Sequence, residues 1–190
     1  MARLLSDYVK VYERTLSPER CSALIARFEA ASALHERQEA ERSYSFAELN
    51  VSLHWPQVEA EVFQLMMGCI QQYWQALQVG GSWPKKVDAE RVRLKRYLPD
   101  GKDKFPTHVD VMNPEQSRRF LTAILYLNEP GGGETVFPAL DLVVKPAPGR
   151  MVFPPLWLFP HARLPPRGRA KYILHRYLWY PPASESPSTP

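Results

Sequence analysis

From about Val87 onward the hydrophobic pattern of this chain changes its period from 3.6 residues to 2. No other feature restricts the fold as much, because side chains that alternate between two faces belong to strands. Arg91–Tyr97 alternates, Phe120–Leu127 (FLTAILYL) is rich in strand formers, and Leu142–Lys145, Arg150–Phe153 and Lys171–Trp179 follow. Turn signals separate these runs: Pro99-Asp100-Gly101, Pro130-Gly131-Gly132-Gly133, Pro146–Gly149 and Pro165–Gly168. Short strands with regularly spaced turns predict a sandwich, barrel or jelly roll. The composition agrees: Pro is 19 of 190 residues and aromatics are 12%, against an ordinary Pro content of about 5%, which disfavours an all-helical bundle.

The first half carries helical signals. Ser17-Pro18-Glu19 offers a hydroxyl cap, a proline for the first helical position and an acid for the first turn. Cys21, Leu24, Ile25, Phe28 and Ala31 then recur at helical spacing. Trp55-Pro56 opens a second helix with Val58, Val62, Leu65, Met66, Ile70, Tyr73 and Leu77 on one face, ended by Gly80-Gly81-Ser82 and Pro84. Tyr8–Tyr12 alternates briefly and suits a first strand or a lead-in. Leu34 to Asn50 is polar and charge-rich and is expected to be a long mobile loop. The predicted architecture is α+β, mainly β. It is one domain over 1–180, with a helical part at 1–86, a jelly-roll core at 87–180 and the helices packed on one outer face of the sheet. The Pro/Ser-rich residues 181–190 are expected to be a disordered tail.

Hydrophobic residues make up 45% and charged residues 23%, enough for a packed core. The net charge of +4 suits an acidic small molecule and does not call for nucleic acid. Two cysteines, Cys21 and Cys69, make no disulfide framework and are expected to be buried thiols. The N-terminus shows no charged-then-apolar leader, and no run reaches the ~18 apolar residues of a membrane span. The expectation is a cytoplasmic protein with no membrane partner.

Among five histidines, His108-Val109-Asp110 is the first informative piece. On extended backbone, residues two apart point the same way, so His108 and Asp110 can offer a nitrogen and a carboxylate oxygen to one point. His161 falls in a segment (LFPHARLPP) read as a loop between two strands, which a jelly roll can bring to the same mouth. Two histidines and one carboxylate form the facial triad of non-haem Fe(II) oxygenases. The same ligands suit a zinc hydrolase. Lys171 follows His161 by ten residues and opens an apolar strand. A keto-acid co-substrate such as 2-oxoglutarate would need a buried cation for its far carboxylate there, with Arg169 on the same face as a rival.

These segments carry a resemblance. The strand ending at Tyr97, HVD at 108–110, LTAILYLNE at 121–129, GGETVFP at 132–138, GRMVFPP at 149–155, His161 and the closing GRAKYILHRYLWY occur in one order over Arg91–Tyr180. In them the chain resembles the prolyl-4-hydroxylase-like branch of the Fe(II)/2-oxoglutarate dioxygenases. LSPERCSALIARFE also resembles the helix that family places before its barrel. The resemblance implies a double-stranded β-helix, or distorted jelly roll, with Fe(II) at one mouth. It implies His108, Asp110 and His161 as metal ligands, Lys171 as the anchor of 2-oxoglutarate, and Tyr97 and Tyr126 as its hydrogen-bonding partners. Thr122 and Ile124 share the face of Tyr126 and are expected to line the pocket, with Thr135 a further candidate. The implied reaction consumes O2 and 2-oxoglutarate, releases succinate and CO2, and hydroxylates an unactivated C–H bond.

The substrate is less constrained. Arg93 and Lys95 precede Tyr97 at two-residue steps, so a regular strand turns both toward the pocket, where Arg93 would hold a substrate anion. A free amino acid, another small-molecule intermediate and a prolyl or other peptidyl residue remain as substrate classes. A non-enzymatic jelly-roll binding module and a zinc-dependent hydrolase are the alternatives to an oxygenase. Arg163, Arg167 and Arg169 are expected to form a basic rim or a solvated loop, and Asn113–Arg119 and Leu34–Asn50 are the two candidate lids. His175 shares the parity of Lys171 and reads as a core or pocket-lining residue.

Overall fold

A computed structural model describes residues 4–40, 44–78, 84–155 and 159–181. Helix α1 (Pro18–Ala30) begins where the sequence signals it: the Ser17 side chain accepts from the Arg20 amide, with Pro18 and Glu19 in the first turn. It buries Cys21, Leu24 and Phe28. A single turn, α2 (Val51–His54), is capped by the Asn50 side chain accepting from Leu53 N. Helix α3 (Pro56–Leu77) follows and buries Val58, Val62, Met66, Cys69, Ile70, Tyr73 and Leu77. Gln78 ends it in the left-handed region. The glycines expected to terminate this helix lie outside the described residues, as does the tail beyond Pro181.

Among the described residues, twelve strands form two antiparallel sheets. They are β1 (Lys10–Tyr12), β2 (Glu36–Ala40), β3 (Tyr44–Asn50), β4 (Asp88–Ala89), β5 (Arg93–Tyr97) and β6 (Phe105–His108), then β7 (Arg119–Tyr126), β8 (Thr135–Phe137), β9 (Leu142–Val144), β10 (Met151–Phe153), β11 (His161–Arg163) and β12 (Lys171–Trp179). The larger sheet runs β1-β10-β7-β12-β5-β3-β2, with β4 also paired to β12, and the smaller runs β6-β11-β8-β9. Strand alternation then builds two cores. Leu94, Leu121, Ala123, Leu125, Leu174 and Leu178 face outward from the larger sheet and pack on α1 and α3. Tyr97, Ile124, Tyr126, Val152 and Ile173 face inward and meet Phe137, Val144 and Phe159 between the sheets. Each fully buried Leu or Phe contributes about 1.5–3 kcal/mol. The helices therefore brace the larger sheet from outside and leave the space between the sheets for a site. The jelly-roll architecture with helices on one outer face is as expected.

Three details differ from the sequence reading. The stretch expected to be a mobile loop, Leu34 to Asn50, holds the β2–β3 hairpin, paired from Glu36↔Glu48 to Ala40↔Tyr44. β3 in turn pairs with β5 from Ala47↔Arg96 to Asn50↔Arg93. Its polar residues are buried with partners: the Glu48 carboxylate lies 3.7 Å from Lys95 Nζ, and Ser45 Oγ donates to Asp103 Oδ1 at 2.9 Å. A polar composition therefore concealed a strand, since a paired polar group can be buried where an unpaired one cannot. Second, the part expected to be helical, 1–86, also supplies β1, β2 and β3 to the larger sheet. Third, His161 opens a strand, β11, rather than sitting in a loop. Both cysteines are buried free thiols. Among the described residues no helix is long and apolar enough to cross a membrane.

Candidate active site

β6 and β11 pair with His161 directly opposite His108, which brings the two rings to 4.5 Å between centroids. Each ring is oriented by a backbone carbonyl two residues upstream: His108 Nδ1 lies 2.7 Å from Pro106 O and His161 Nδ1 3.2 Å from Phe159 O. A carbonyl only accepts, so Nδ1 carries the proton and Nε2 keeps its lone pair in both rings. Asp110 is buried just beyond the end of β6. Its Oδ1 lies 3.2 Å from His108 Nε2 and accepts from Tyr177 Oη at 2.9 Å. Its Oδ2 lies 3.5 Å from His161 Nε2, and neither atom has a hydrogen-bond partner among the described residues.

One ligand atom from each of His108, Asp110 and His161 falls within 4.8 Å of the others. Three acceptors converging in a buried site repel one another unless a cation stands between them. The donor set therefore fits a divalent metal, and two neutral imidazoles with one carboxylate match Fe(II) with positions left open. The electrostatics agree. Burial works against the charge on Asp110, but the adjacent His108 and His161 rings and the Arg163 guanidinium hold its carboxyl well below the usual range. Burial pushes His161 down to about 4 against the pull of Asp110, so its imidazole is neutral and available for coordination near pH 7.

Lys171 opens β12 opposite Tyr97 and is fully buried. Its ammonium donates to Gly133 O at 3.0 Å, reaches Leu164 O at 3.5 Å and sits 4.5 Å above the Tyr97 ring. Burial, reinforced by Arg163, pushes Lys171 down to about 7, with Glu134 opposing. Tyr126 Oη and Thr135 Oγ1 share a hydrogen bond of 2.5 Å, both residues being fully buried. Tyr97 Oη is buried with no hydrogen-bond partner among the described residues. Lys171, Tyr97, Tyr126 and Thr135 thus meet at one end of the barrel. Arg169, the rival cation, is exposed and donates to Glu129 O at 3.0 Å.

Thr122 is inward and buried but lies four residues from Tyr126 along β7, about 13 Å at strand rise. Its hydroxyl donates to Arg176 O at 3.2 Å and lies 3.1 Å from His175 Nε2. It therefore lies away from the Lys171 end, where a co-substrate contact was expected, and is engaged with β12. Arg93 does turn inward and lies 3.9 Å from Glu48. With Lys95, Glu48, His175 and Tyr177 it lines a cleft of about 460 Å³. Next to that cleft is a mouth of about 260 Å³ lined by Tyr44, Phe46, Phe105, His108, Asp110 and Met112. Lys95, Glu48 and Tyr177 line both.

Two residues went unrecognised. Arg163, expected on a rim or in solvent, is 1% exposed, whereas Arg167 and Arg169 are exposed. Its parity with His161 was the available signal. Tyr177, the partner of Asp110, shares the inward parity of Lys171, Ile173 and His175. The Arg119 guanidinium lies 3.9 Å over its ring, donates to Asp110 O at 3.2 Å and pairs with Glu90 at 2.6 Å.

Comparison with known proteins follows this geometry. Residues 92–179, which include the three ligands and Lys171, match the family model described as the 2OG-Fe(II) oxygenase superfamily. Among solved structures, a Pseudomonas putida prolyl-4-hydroxylase superposes with a TM-score of 0.68 at 21% identity, covering 91% of this chain and 92% of that one. The viral collagen prolyl hydroxylase of Paramecium bursaria Chlorella virus-1, in its 2-oxoglutarate complex, gives 0.63 at 21%, covering 90% and 95%. A Trichoplax adhaerens prolyl hydroxylase, solved with a hypoxia inducible factor oxygen degradation domain peptide, gives 0.68 at 14%, covering 92% and 84%. No curated protein sequence matches the chain. The structural likenesses carry the fold, and the family match falls on the strands that hold the His-Asp-His set. Residues 92–179 therefore form a 2OG-Fe(II) oxygenase domain, of a superfamily whose oxygenases depend on Fe(II) and 2-oxoglutarate and consume O2.

Proposed function

We propose that this oxygenase hydroxylates an unactivated C–H bond of an amino-acid residue, with conversion of 2-oxoglutarate to succinate and CO2. The observation that carries the reading is the convergence of His108, Asp110 and His161 within 4.8 Å at a barrel mouth whose far end holds the buried Lys171. Iron and the keto acid together supply the oxidising chemistry with O2. The chain supplies position, charge and dryness. His108 and His161 present Nε2 lone pairs fixed by Pro106 O and Phe159 O. Asp110 presents Oδ2 while Tyr177 holds Oδ1. Lys171 takes the far carboxylate, with Tyr97, Tyr126 and Thr135 supplying hydroxyls around it. Phe46, Tyr44 and Phe105 form an aromatic wall at the mouth that excludes water from the reacting carbon.

A peptidyl residue, prolyl in the first instance, is the substrate this reading favours. The Trichoplax enzyme of the same fold was solved with a peptide, and the mouth opens to the surface beside exposed Met112. A small acidic substrate is the second reading, and the cleft where Arg93 and Lys95 share Glu48, with Arg91 and Glu90 also in its lining, favours it. The test is anaerobic addition of Fe(II) and then 2-oxoglutarate, read as the weak visible charge-transfer band of a chelated keto acid. The wild type is expected to give the band, and His161→Ala is expected to abolish it. No band at saturating 2-oxoglutarate overturns the reading and brings the zinc hydrolase or binding module forward. Prolyl peptides and free amino acids are then screened for perturbation of the band. Arg93→Met is expected to raise KM for an acidic substrate and leave KM for a neutral prolyl peptide unchanged.

A further inference from the structure

The interior holds two cations besides the Lys171 anchor: Lys95, which lies 3.7 Å from Glu48, and Arg163, which has no carboxylate within salt-bridge distance among the described residues. Arg163 sits two residues after His161 on β11, on the same inward face, and is 1% exposed. Its Nε and Nη2 have no hydrogen-bond partner among the described residues. Its neighbours are the Phe105 ring, 5.5 Å from the guanidinium carbon, and the electrostatic company of Tyr97, Tyr126, Asp110 and Lys171. A guanidinium stays charged in proteins. Burying it without a counter-ion costs several kcal/mol. Asp110 is the one acid among the groups that act most strongly on it, and the metal claims Asp110. Glu48, the other buried acid facing this space, lies 3.7 Å from Lys95.

Position identifies the missing anion. β5 runs from Arg93, opposite His175, to Tyr97, opposite Lys171. The chain then turns into β6, which returns from Phe105 to His108. On β11, His161 pairs with His108, and Arg163 pairs with Phe105. Arg163 therefore lies on the Lys171 side of the triad, about 6–7 Å further along the strand than His161. The next residue, Leu164, presents its carbonyl to the Lys171 ammonium at 3.5 Å. A molecule spanning from the triad to Lys171 passes the guanidinium. The substrate approaches from the other side, through the mouth at Asp110 and Met112.

We infer that Arg163 is a second cation for the co-substrate, binding the 2-oxoglutarate dianion together with Lys171. The inference rests on the co-substrate reading above. It makes this pocket a two-cation trough, in which the guanidinium adds positive charge along the path from the triad to Lys171. Such a trough favours a dianionic keto acid over a monoanionic one.

The test is calorimetric titration of the full chain loaded with Mn(II), a redox-inert stand-in for Fe(II), and needs no turnover. 2-Oxoglutarate and 2-oxobutyrate, which shares the keto-acid head but lacks the far carboxylate, are titrated into wild type, Arg163→Gln, Arg163→Met and Lys171→Gln. Mn(II) affinity serves as the control for folding and for the triad, and is expected to stay within a few-fold of wild type in both Arg163 variants. The expected result is a weakening of 2-oxoglutarate binding of tenfold or more in Arg163→Gln and Arg163→Met, with a smaller change for 2-oxobutyrate. The two replacements differ in polarity, so a shared loss with retained metal binding reports the missing charge rather than a packing defect. 2-Oxoglutarate affinity within threefold of wild type, or tighter, in a variant that binds Mn(II) overturns the assignment of Arg163 alone. Failure of the wild type to bind 2-oxoglutarate overturns both the assignment and the reading beneath it.

Discussion

Tyr177→Phe isolates one hydrogen bond at the metal site. Tyr177 Oη donates to Asp110 Oδ1 at 2.9 Å, which leaves Oδ2 as the carboxylate oxygen facing His161. The ring itself is held independently, under the Arg119 guanidinium at 3.9 Å, and Arg119 is fixed by its pair with Glu90. Phenylalanine keeps that stacking and removes only the donor. Two opposed effects follow. The carboxylate loses a charge-assisted bond worth about 1.5–3 kcal/mol and becomes free to rotate away from the metal. It also becomes more basic, which strengthens its bond to a cation. Orientation is expected to win, because loss of such an outer partner ordinarily costs about 10–100-fold in metal affinity, or roughly 1.4–2.8 kcal/mol. That range agrees with the value of the bond itself. The assay is Mn(II) titration by calorimetry, with thermal melting of the metal-free protein as the control for folding. Metal affinity within threefold of wild type, or tighter, refutes the argument that Tyr177 orients Asp110.

Lys171 and Gly149 each give a further expected outcome. Burial pushes Lys171 down to about 7, and a bound dianion pulls it back up. The free protein therefore already carries the ammonium below pH 7, and above pH 7 it must take up a proton to bind. 2-Oxoglutarate affinity is expected to be flat below pH 7 and to fall by up to about tenfold per unit above it; titration at several pH values checks this, and a slope that survives Lys171→Met counts against it. Gly149 has φ +74, and a Cβ there would meet Leu16 O at 2.0 Å. It also donates to Tyr126 O and accepts from Thr15 N, so the backbone has little room to move. Gly149→Ala is expected to cost about 3 kcal/mol or more, lowering Tm by about 10 °C. A melting curve within 2 °C of wild type contradicts this.

The legible parts of this fold are those where one physical signal acts alone. α1 was readable because its Ser17 cap and its apolar stripe agree, and α3 because Pro56 opens a long apolar stripe. β7 and β12 were readable because their outward faces are leucine-rich while the inward positions keep period 2. The metal ligands were readable because period 2 puts His108 and Asp110 on one side, and the resemblance supplied His161 and Lys171 at their spacing. β11 was not readable, since a three-residue strand within the four residues between Pro160 and Pro165 carries too little pattern to mark it.

The failures share a cause that bears on function. β3 read as a loop because Ser45, Glu48 and Asn50 are polar, yet all three are buried. Arg163 read as surface because arginine is rarely buried whole, yet it is 1% exposed, on the inward face of β11. Thr122 shared a face with Tyr126, but face alone does not give depth along a strand. Hydrophobic patterning assumes that the inward face of a strand is apolar, and a barrel that encloses a metal and a dianion must break that assumption. Glu48, Lys95, Asp110, Arg163, Lys171 and His175 are all buried and polar, and all belong to strands or strand ends facing the same space. The positions at which a strand reading fails are therefore the ones to test first for chemistry. By that criterion Arg163 stands beside the triad and Lys171, although neither composition nor motif singled it out.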